Sequence, residues 1–88
     1  MRNKKLTLSE PYKKLFARLP KNIRDITYEK LDFFLQDPSH PSLRVKKIKG
    51  TPGIWEMSIT MNYRITFEIL EDEIYLRRIG THDVLDHP

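Results

Sequence analysis

Trp55-Glu56-Met57-Ser58-Ile59-Thr60-Met61-Asn62-Tyr63-Arg64-Ile65-Thr66-Phe67-Glu68-Ile69 is the stretch on which the fold turns. Trp55, Met57, Ile59 and Met61 alternate with Glu56, Ser58 and Thr60. Beyond Asn62-Tyr63, the residues Ile65, Phe67 and Ile69 alternate with Arg64, Thr66 and Glu68. A period of two sends successive side chains to opposite faces of a sheet, so each run reads as a half-buried strand of an antiparallel pair. One face is apolar and must be covered. The other carries Glu56, Ser58, Arg64, Thr66 and Glu68 and is predicted to be an open, concave polar surface, where any function would sit.

Toward the C-terminus, Glu71-Asp72 marks a tight turn, and Glu73 to Ile79 forms the last strand of a meander, ending at Gly80-Thr81-His82-Asp83. On the other side, Gly50-Thr51-Pro52-Gly53 turns the chain after a basic strand, Leu43 to Lys49. The apolar positions of that strand, Leu43, Val45 and Ile48, fall out of step and predict a bulge near Lys46-Lys47. Upstream of Asp37-Pro38-Ser39-His40-Pro41-Ser42 the period becomes helical. Tyr12, Leu15, Phe16 and Leu19 line one face of a short helix behind the N-cap Ser9. Ile23, Ile26, Leu31, Phe34 and Leu35 serve a second helix, with Asn22 as its expected cap, Asp25 at its third position and Pro38 as its stop. Lys4 to Leu8 reads as a short first strand. The predicted class is α+β: a short first strand, a two-helix hairpin, then an antiparallel three-stranded meander with the helices packed on one sheet face.

Eighty-eight residues suit a single domain spanning 1–88. With no cysteine, disulfide frameworks, thiolate zinc sites and cysteine nucleophiles are excluded, and a reducing cytoplasm is the expected location. The N-terminus lacks the apolar stretch of a secretory signal, and no apolar run exceeds three residues, as in Phe33-Phe34-Leu35, so no membrane partner is expected. Sixteen Lys and Arg against twelve Asp and Glu give a formal charge of +4, which puts polyanions first among partners.

Arg44, Lys46, Lys47 and Lys49 place four cations in six residues. Such a run either tracks a phosphate backbone or protects an edge strand from aggregation. Arg64 opens a strand beside a turn on the polar face, as a phosphate ligand or as the cross-strand partner of Glu56. His82 follows a glycine in a loop from which its ring can reach over the sheet, and histidine is the side-chain type suited to proton transfer near neutral pH. His82, Asp83, Asp86 and His87 match no standard metal-ligand spacing, so neither metal nor other cofactor is expected, and His87 reads as a tail residue. RNA cleavage by side chains alone needs a base for the 2′-hydroxyl, cations for the crowded phosphorane and an acid for the 5′-oxygen. Arg64 and one of Arg77 or Arg78 suit the second task, and His82 suits the first or the third. Strict alternation admits only one of Arg77 and Arg78 to the polar face. Trp55 shares parity with Met57 and belongs to the core, whereas Tyr63 is a candidate platform for a base.

The segments His40-Pro41-Ser42-Leu43-Arg44-Val45-Lys46-Lys47-Ile48-Lys49-Gly50, Ile54-Trp55-Glu56-Met57, Asn62-Tyr63-Arg64-Ile65 and Ile79-Gly80-Thr81-His82 together resemble the RelE/ParE superfamily of toxins from bacterial toxin-antitoxin systems. The ending is most similar to the YafQ and YoeB branch. The resemblance implies a microbial RNase-like fold, metal-free cleavage of mRNA in the ribosomal A site, and a cognate antitoxin that silences the toxin and supplies any contact with DNA. It implies further that Arg64 binds phosphate, that His82 serves acid/base chemistry, that Arg78 is a catalytic arginine, and that His40 matches a histidine before the basic strand. The lysine-rich strand would meet ribosomal RNA. Many relatives carry an arginine where Ser58 stands, so either activity is lower here or Lys47 or Arg78 supplies that phosphate contact instead. Alanine at His82 or Arg64 is expected to cost on the order of 10²-fold or more in cleavage and to spare the fold. A ParE-like toxin that poisons gyrase, or an inactive relative that only binds an antitoxin, would use the same scaffold.

Overall fold

The computed structural model describes residues 4–88. Strand β1 (Lys5–Leu8) leads into helices α1 (Glu10–Ala17) and α2 (Lys21–Gln36). A 3-10 turn (Pro41–Leu43) then precedes β2 (Lys46–Lys47), β3 (Trp55–Ser58), β4 (Arg64–Ile69) and β5 (Glu73–Gly80), and a second 3-10 turn covers His82–Leu85. The meander β3-β4-β5 is present as expected, but it forms the middle of a five-stranded mixed sheet in the order β1-β5-β4-β3-β2, with β1 parallel to β5. Ser9 makes that crossover compact. Its Oγ accepts the Tyr12 N–H at 3.1 Å to cap α1 and donates to the Arg77 carbonyl at 2.7 Å, while its N–H reaches the Leu76 carbonyl at 3.0 Å.

Both helices lie on the face formed by Met57, Ile65, Phe67, Ile74, Leu76 and Ile79, all buried, and Phe34 meets Phe67 edge to face at 5.3 Å between ring centres. Each such fully buried apolar side chain contributes roughly 1.5–3 kcal/mol by leaving water. Trp55 packs at the margin of this core. No helix among the described residues is long and apolar enough to cross a membrane.

Four expectations are corrected. Helix α2 starts at Lys21 rather than after an Asn22 cap, because Pro20, held at φ −56° and ψ 149°, already offers its carbonyl to the N–H groups of Ile23 and Arg24 at 3.0 Å. The basic strand shrinks to Lys46–Lys47, because the Pro41–Leu43 turn ends in Arg44 at φ 50°, ψ 45°, a left-handed conformation that no strand accommodates. The bulge predicted near Lys46-Lys47 lies instead between β4 and β5: Thr66 pairs with Arg78 and Phe67 with Leu76, so Arg77 is the extra residue. Strand β3 stops at Ser58, because the Thr60 hydroxyl accepts the N–H groups of Asn62 and Tyr63, both at 3.2 Å, and closes a turn that leaves Met61 84% exposed.

The polar face also differs from the open surface predicted for it. Beyond β5 the chain turns back, buries Val84 beside Gly80, and brings the Pro88 main-chain oxygen to the Thr66 hydroxyl at 3.1 Å and to Arg77 Nε at 3.0 Å. Thr66 is therefore fully buried, and Glu56, Ser58 and Arg64 are each only 8% exposed. The part that still opens to solvent lies beside β2 and β3.

Candidate functional site

The register places two rows of side chains on the polar face: Lys46, Glu56 and Thr66 in one, Ser58 and Arg64 in the next, with Gly80 opposite Arg64 on β5. A glycine beside Arg64 leaves room that a side chain would fill, and Val84 takes part of it. The Arg64 guanidinium is fixed by its own turn. Nη1 donates to the carbonyls of Thr60 at 2.8 Å, Met61 at 2.9 Å and Tyr63 at 3.1 Å, and Nε lies 3.8 Å from the Glu56 carboxylate. These bonds hold the group in one orientation and commit Nη1, so Nη2 is the nitrogen available to a ligand.

Arg64 opens into a cleft of about 330 Å³ lined with Arg44, Val45, Lys46, Glu56 and Ser58. An adjoining hollow of about 280 Å³ shares Arg44, Ser58 and Arg64 and extends toward Lys30 and Ser42. Arg44 enters both because of its left-handed backbone, which costs a non-glycine residue of order 1–3 kcal/mol. The conformation is imposed by its neighbours: the Arg44 N–H reaches the Pro41 carbonyl at 3.1 Å, and Leu43 is wholly buried. Three cations around one carboxylate leave the cleft positive, and two of the cations are guanidiniums suited to a phosphodiester. Of the residues considered on sequence as substitutes for an arginine at position 58, Lys47 pairs with Trp55 and alternates away from this face. Arg44 is the guanidinium that shares the cleft with Ser58.

The remaining candidates are dispersed. His40 caps the 3-10 turn: its Nδ1 accepts the Ser42 N–H at 3.1 Å and meets the Ser42 hydroxyl at 2.9 Å, and its ring tilts against Phe33 at 4.8 Å. That engagement leaves Nε2 as the proton-bearing nitrogen of the neutral ring. Lys49 is exposed ahead of the Gly50 turn, and Tyr63 is half-buried against the core. The bulge settles the question of the paired arginines. Arg77 turns onto the polar face, where Glu68 at 2.5 Å and the Pro88 oxygen hold it. Arg78 lines a separate cleft of about 390 Å³, between Leu15 of α1 and the residues Asp83 and His87.

His82 stands exposed at the start of the second 3-10 turn, two residues past Gly80, and lines neither cleft. His87, read from sequence as a mere tail residue, is brought beside Arg78 because the tail folds back. Glu56 was missed as a cleft group for a related reason: Lys46 faces it across the β2–β3 ladder, but only the Arg44 kink adds Arg44 to its surroundings. Among the described residues, no group of three or more His, Cys, Asp or Glu could hold a metal ion.

This architecture is that of the RelE-like toxins. The chain is similar to the E. coli DinJ-YafQ toxin-antitoxin complex, with a TM-score of 0.75 at 17% identity over 94% of this chain and 97% of that one. It is similar to the archaeal RelE-RelB complex from Pyrococcus horikoshii OT3, with a TM-score of 0.73 at 17% identity over 90% and 94% of the two chains. The YoeB/ParE toxin from Agrobacterium tumefaciens gives 0.75 at 14% identity over 89% and 98%. No protein-family model matches the sequence, and no curated protein matches it. At these identities the likeness is one of fold.

Proposed function

We propose that the chain is the toxin of a toxin-antitoxin pair, a ribosome-dependent endoribonuclease that cleaves mRNA in the A site by attack of a 2′-hydroxyl on the adjacent phosphodiester. The observation that carries this reading is the positive cleft in which a main-chain-clamped Arg64 meets Arg44 and Lys46. Preorganised donors aimed at a developing phosphorane charge are the largest lever available to side-chain catalysis of this step. Arg64 and Arg44 would grip the scissile phosphate, and His82, free to swing from the end of β5, would transfer a proton. Lys46, Lys47 and Lys49, with Lys30 nearby, would follow the nucleic-acid backbone into ribosomal RNA. His40 would hold the turn that aims Arg44, and Arg78 would act from its own cleft at the β5 edge.

The fold neighbours crystallised as RelE-RelB and DinJ-YafQ complexes support an antitoxin as partner. In this reading the pair acts in the cytoplasm and the antitoxin provides any operator contact. Primer extension on a message in a translation extract, with and without ribosomes, tests the reading. Wild type should cut only when ribosomes are present, and His82→Ala should cut on the order of 10²-fold more slowly. Unchanged cutting by His82→Ala would remove its role. Inhibition of purified gyrase without any RNA cleavage would favour a ParE-like toxin instead.

A further inference from the structure

We infer that the hollow adjoining the Arg64 cleft is a nucleobase pocket, in which Met61 packs on the face of a base flanking the scissile phosphate and the Ser58 hydroxyl bonds that base at its edge. The inference rests on the endoribonuclease reading above and deepens it by naming what holds the nucleotide next to the cut. The hollow has two kinds of wall. Lys30, Arg44 and Arg64 supply cations, whereas Ile59 and Met61 supply apolar surface, with Ser58 between them. The cleft beside it has one apolar residue, Val45, and a carboxylate, Glu56. A nucleotide is divided in the same way as the hollow, since its anionic phosphate is joined to a flat ring that gains from stacking against side chains. At about 280 Å³, just under the ~300–1,000 Å³ of sites that take drug-sized ligands, the space suits a single ring system.

Ser58 supplies the observation that asks for a ligand. It pairs with Arg64 across the β3–β4 ladder, so the two side chains are neighbours on one face. It is only 8% exposed, yet its hydroxyl makes no hydrogen bond among the described residues and is not sealed from solvent. The hydroxyl therefore opens into the hollow, where it can donate to a base edge or accept from it. Met61 supplies the second contact. Tight turns favour glycine, asparagine, aspartate and serine, whereas this one presents a methionine, 84% exposed, at the rim of the hollow. Its backbone is held: the Thr60 hydroxyl closes the turn, and Arg64 Nη1 donates to the Met61 carbonyl at 2.9 Å. The guanidinium that grips the phosphate thus also fixes the residue that meets the adjoining base, and the two contacts keep a constant spacing. A flexible, polarizable thioether adapts to rings of different size.

Cutting of a ribosome-bound message by wild type, Met61→Ala, Met61→Leu and Ser58→Ala, followed against protein concentration, tests the pocket. The message is made intact and with an abasic nucleotide placed in turn at each position flanking the cut. On the intact message, Met61→Ala should need about 2- to 10-fold more protein for half-maximal cutting. Ser58→Ala should show a deficit of about the same size, and Met61→Leu a smaller one than Met61→Ala. At one abasic position beside the cut these deficits should vanish, because the base that the side chains held is gone. Half-maximal concentrations equal to that of wild type on the intact message overturn the inference. A deficit that persists at every abasic position overturns it as well, since it marks a contact to the backbone or a disturbed turn, and so does a deficit confined to the maximal rate. Met61 is exposed and the Ser58 hydroxyl unpartnered, so both alanine variants should melt with wild type; if Ser58→Ala fails to fold, Met61→Ala decides by the same criteria. Should wild type cut no intact message, the endoribonuclease reading fails and the inference falls with it, whereas wild-type cutting without a base-dependent deficit sinks the inference alone.

Discussion

Replacing Arg64 by alanine should remove a large part of the fold's stability before it reports on chemistry. The Glu56 and Arg64 side chains are only 10% and 9% exposed, and removal of one partner from a buried pair costs about 3–5 kcal/mol because the other charge is left unpaired. The 3.8 Å separation argues for the lower end, but the carbonyls of Thr60, Met61 and Tyr63 lose their donor at the same time. A loss of about 3 kcal/mol is a large part of the ~5–15 kcal/mol typical of a domain. At about 4–8 °C per kcal/mol for a chain of this size, the melting temperature should fall by roughly 12–24 °C. Urea melts at pH 7 of wild type, Arg64→Ala, Glu56→Gln and the double variant measure both the loss and its origin. The double variant should be more stable than the sum of the single losses predicts, by about 1 kcal/mol or more, since the neutral amide introduced by Glu56→Gln no longer needs a cation. Strict additivity would refute the coupling, and Arg64→Ala within about 1 kcal/mol of wild type would refute the clamp itself. Arg64→Ala therefore keeps its fold with a narrower stability margin, and Arg64→Lys is the better probe of cutting.

Arg44→Gly should leave the melting temperature unchanged or raise it by a few degrees, because glycine adopts the φ of 50° without strain, yet it should weaken RNA binding and lower the salt slope by about 0.7, one phosphate's share on a single strand. Equal binding at all salt concentrations would place Arg44 outside the interface. Burial, with a smaller contribution from Tyr28, raises the Tyr12 phenol well above its ordinary value of 10.0. The folded protein therefore keeps a proton that the unfolded chain loses, and this stability is complete below about pH 10 and declines as pH rises toward the folded value. Urea midpoints from pH 8 to 11 should fall for wild type and fall less for Tyr12→Phe, and parallel curves would acquit Tyr12.

The elements that depend on periodicity were legible in the sequence. Met57, Ile59, Ile65 and Phe67 alternate into the core as read, and Tyr12, Leu31 and Phe34 mark the helix faces that cover them. What escaped was set by non-periodic events. A left-handed Arg44 carries no sequence mark, since left-handed positions usually advertise themselves as glycine or asparagine. The extra residue at Arg77 is invisible because two adjacent arginines look alike on either face. The return of the tail is anchored by Val84 and by a main-chain oxygen, and backbone acceptors leave no trace in side-chain pattern. His82 stands out in the sequence for its chemistry, whereas Glu56 reads there as a partner for Arg64 and not as a group of the cleft.

These departures are not scattered. Arg44 and the Glu56–Arg64 pair form the cleft, while the bulge and the returning tail close the polar face next to it. Their electrostatic effects act in one direction. Glu68 and the Pro88 oxygen occupy Arg77, so that cation adds little to the field over the rest of the face. On the other side, the kink at Arg44 brings a guanidinium toward Ser58 and Arg64 that a regular strand would have sent elsewhere. Positive charge is thereby withdrawn from the covered part of the sheet and gathered where solvent can enter, at the mouth of a partly desolvated cleft, where a field acts most strongly on an anionic ligand. A local rule broken at one place is accident enough, but several broken around a single opening, each sharpening the same potential, argue that the opening is what the strain is kept for.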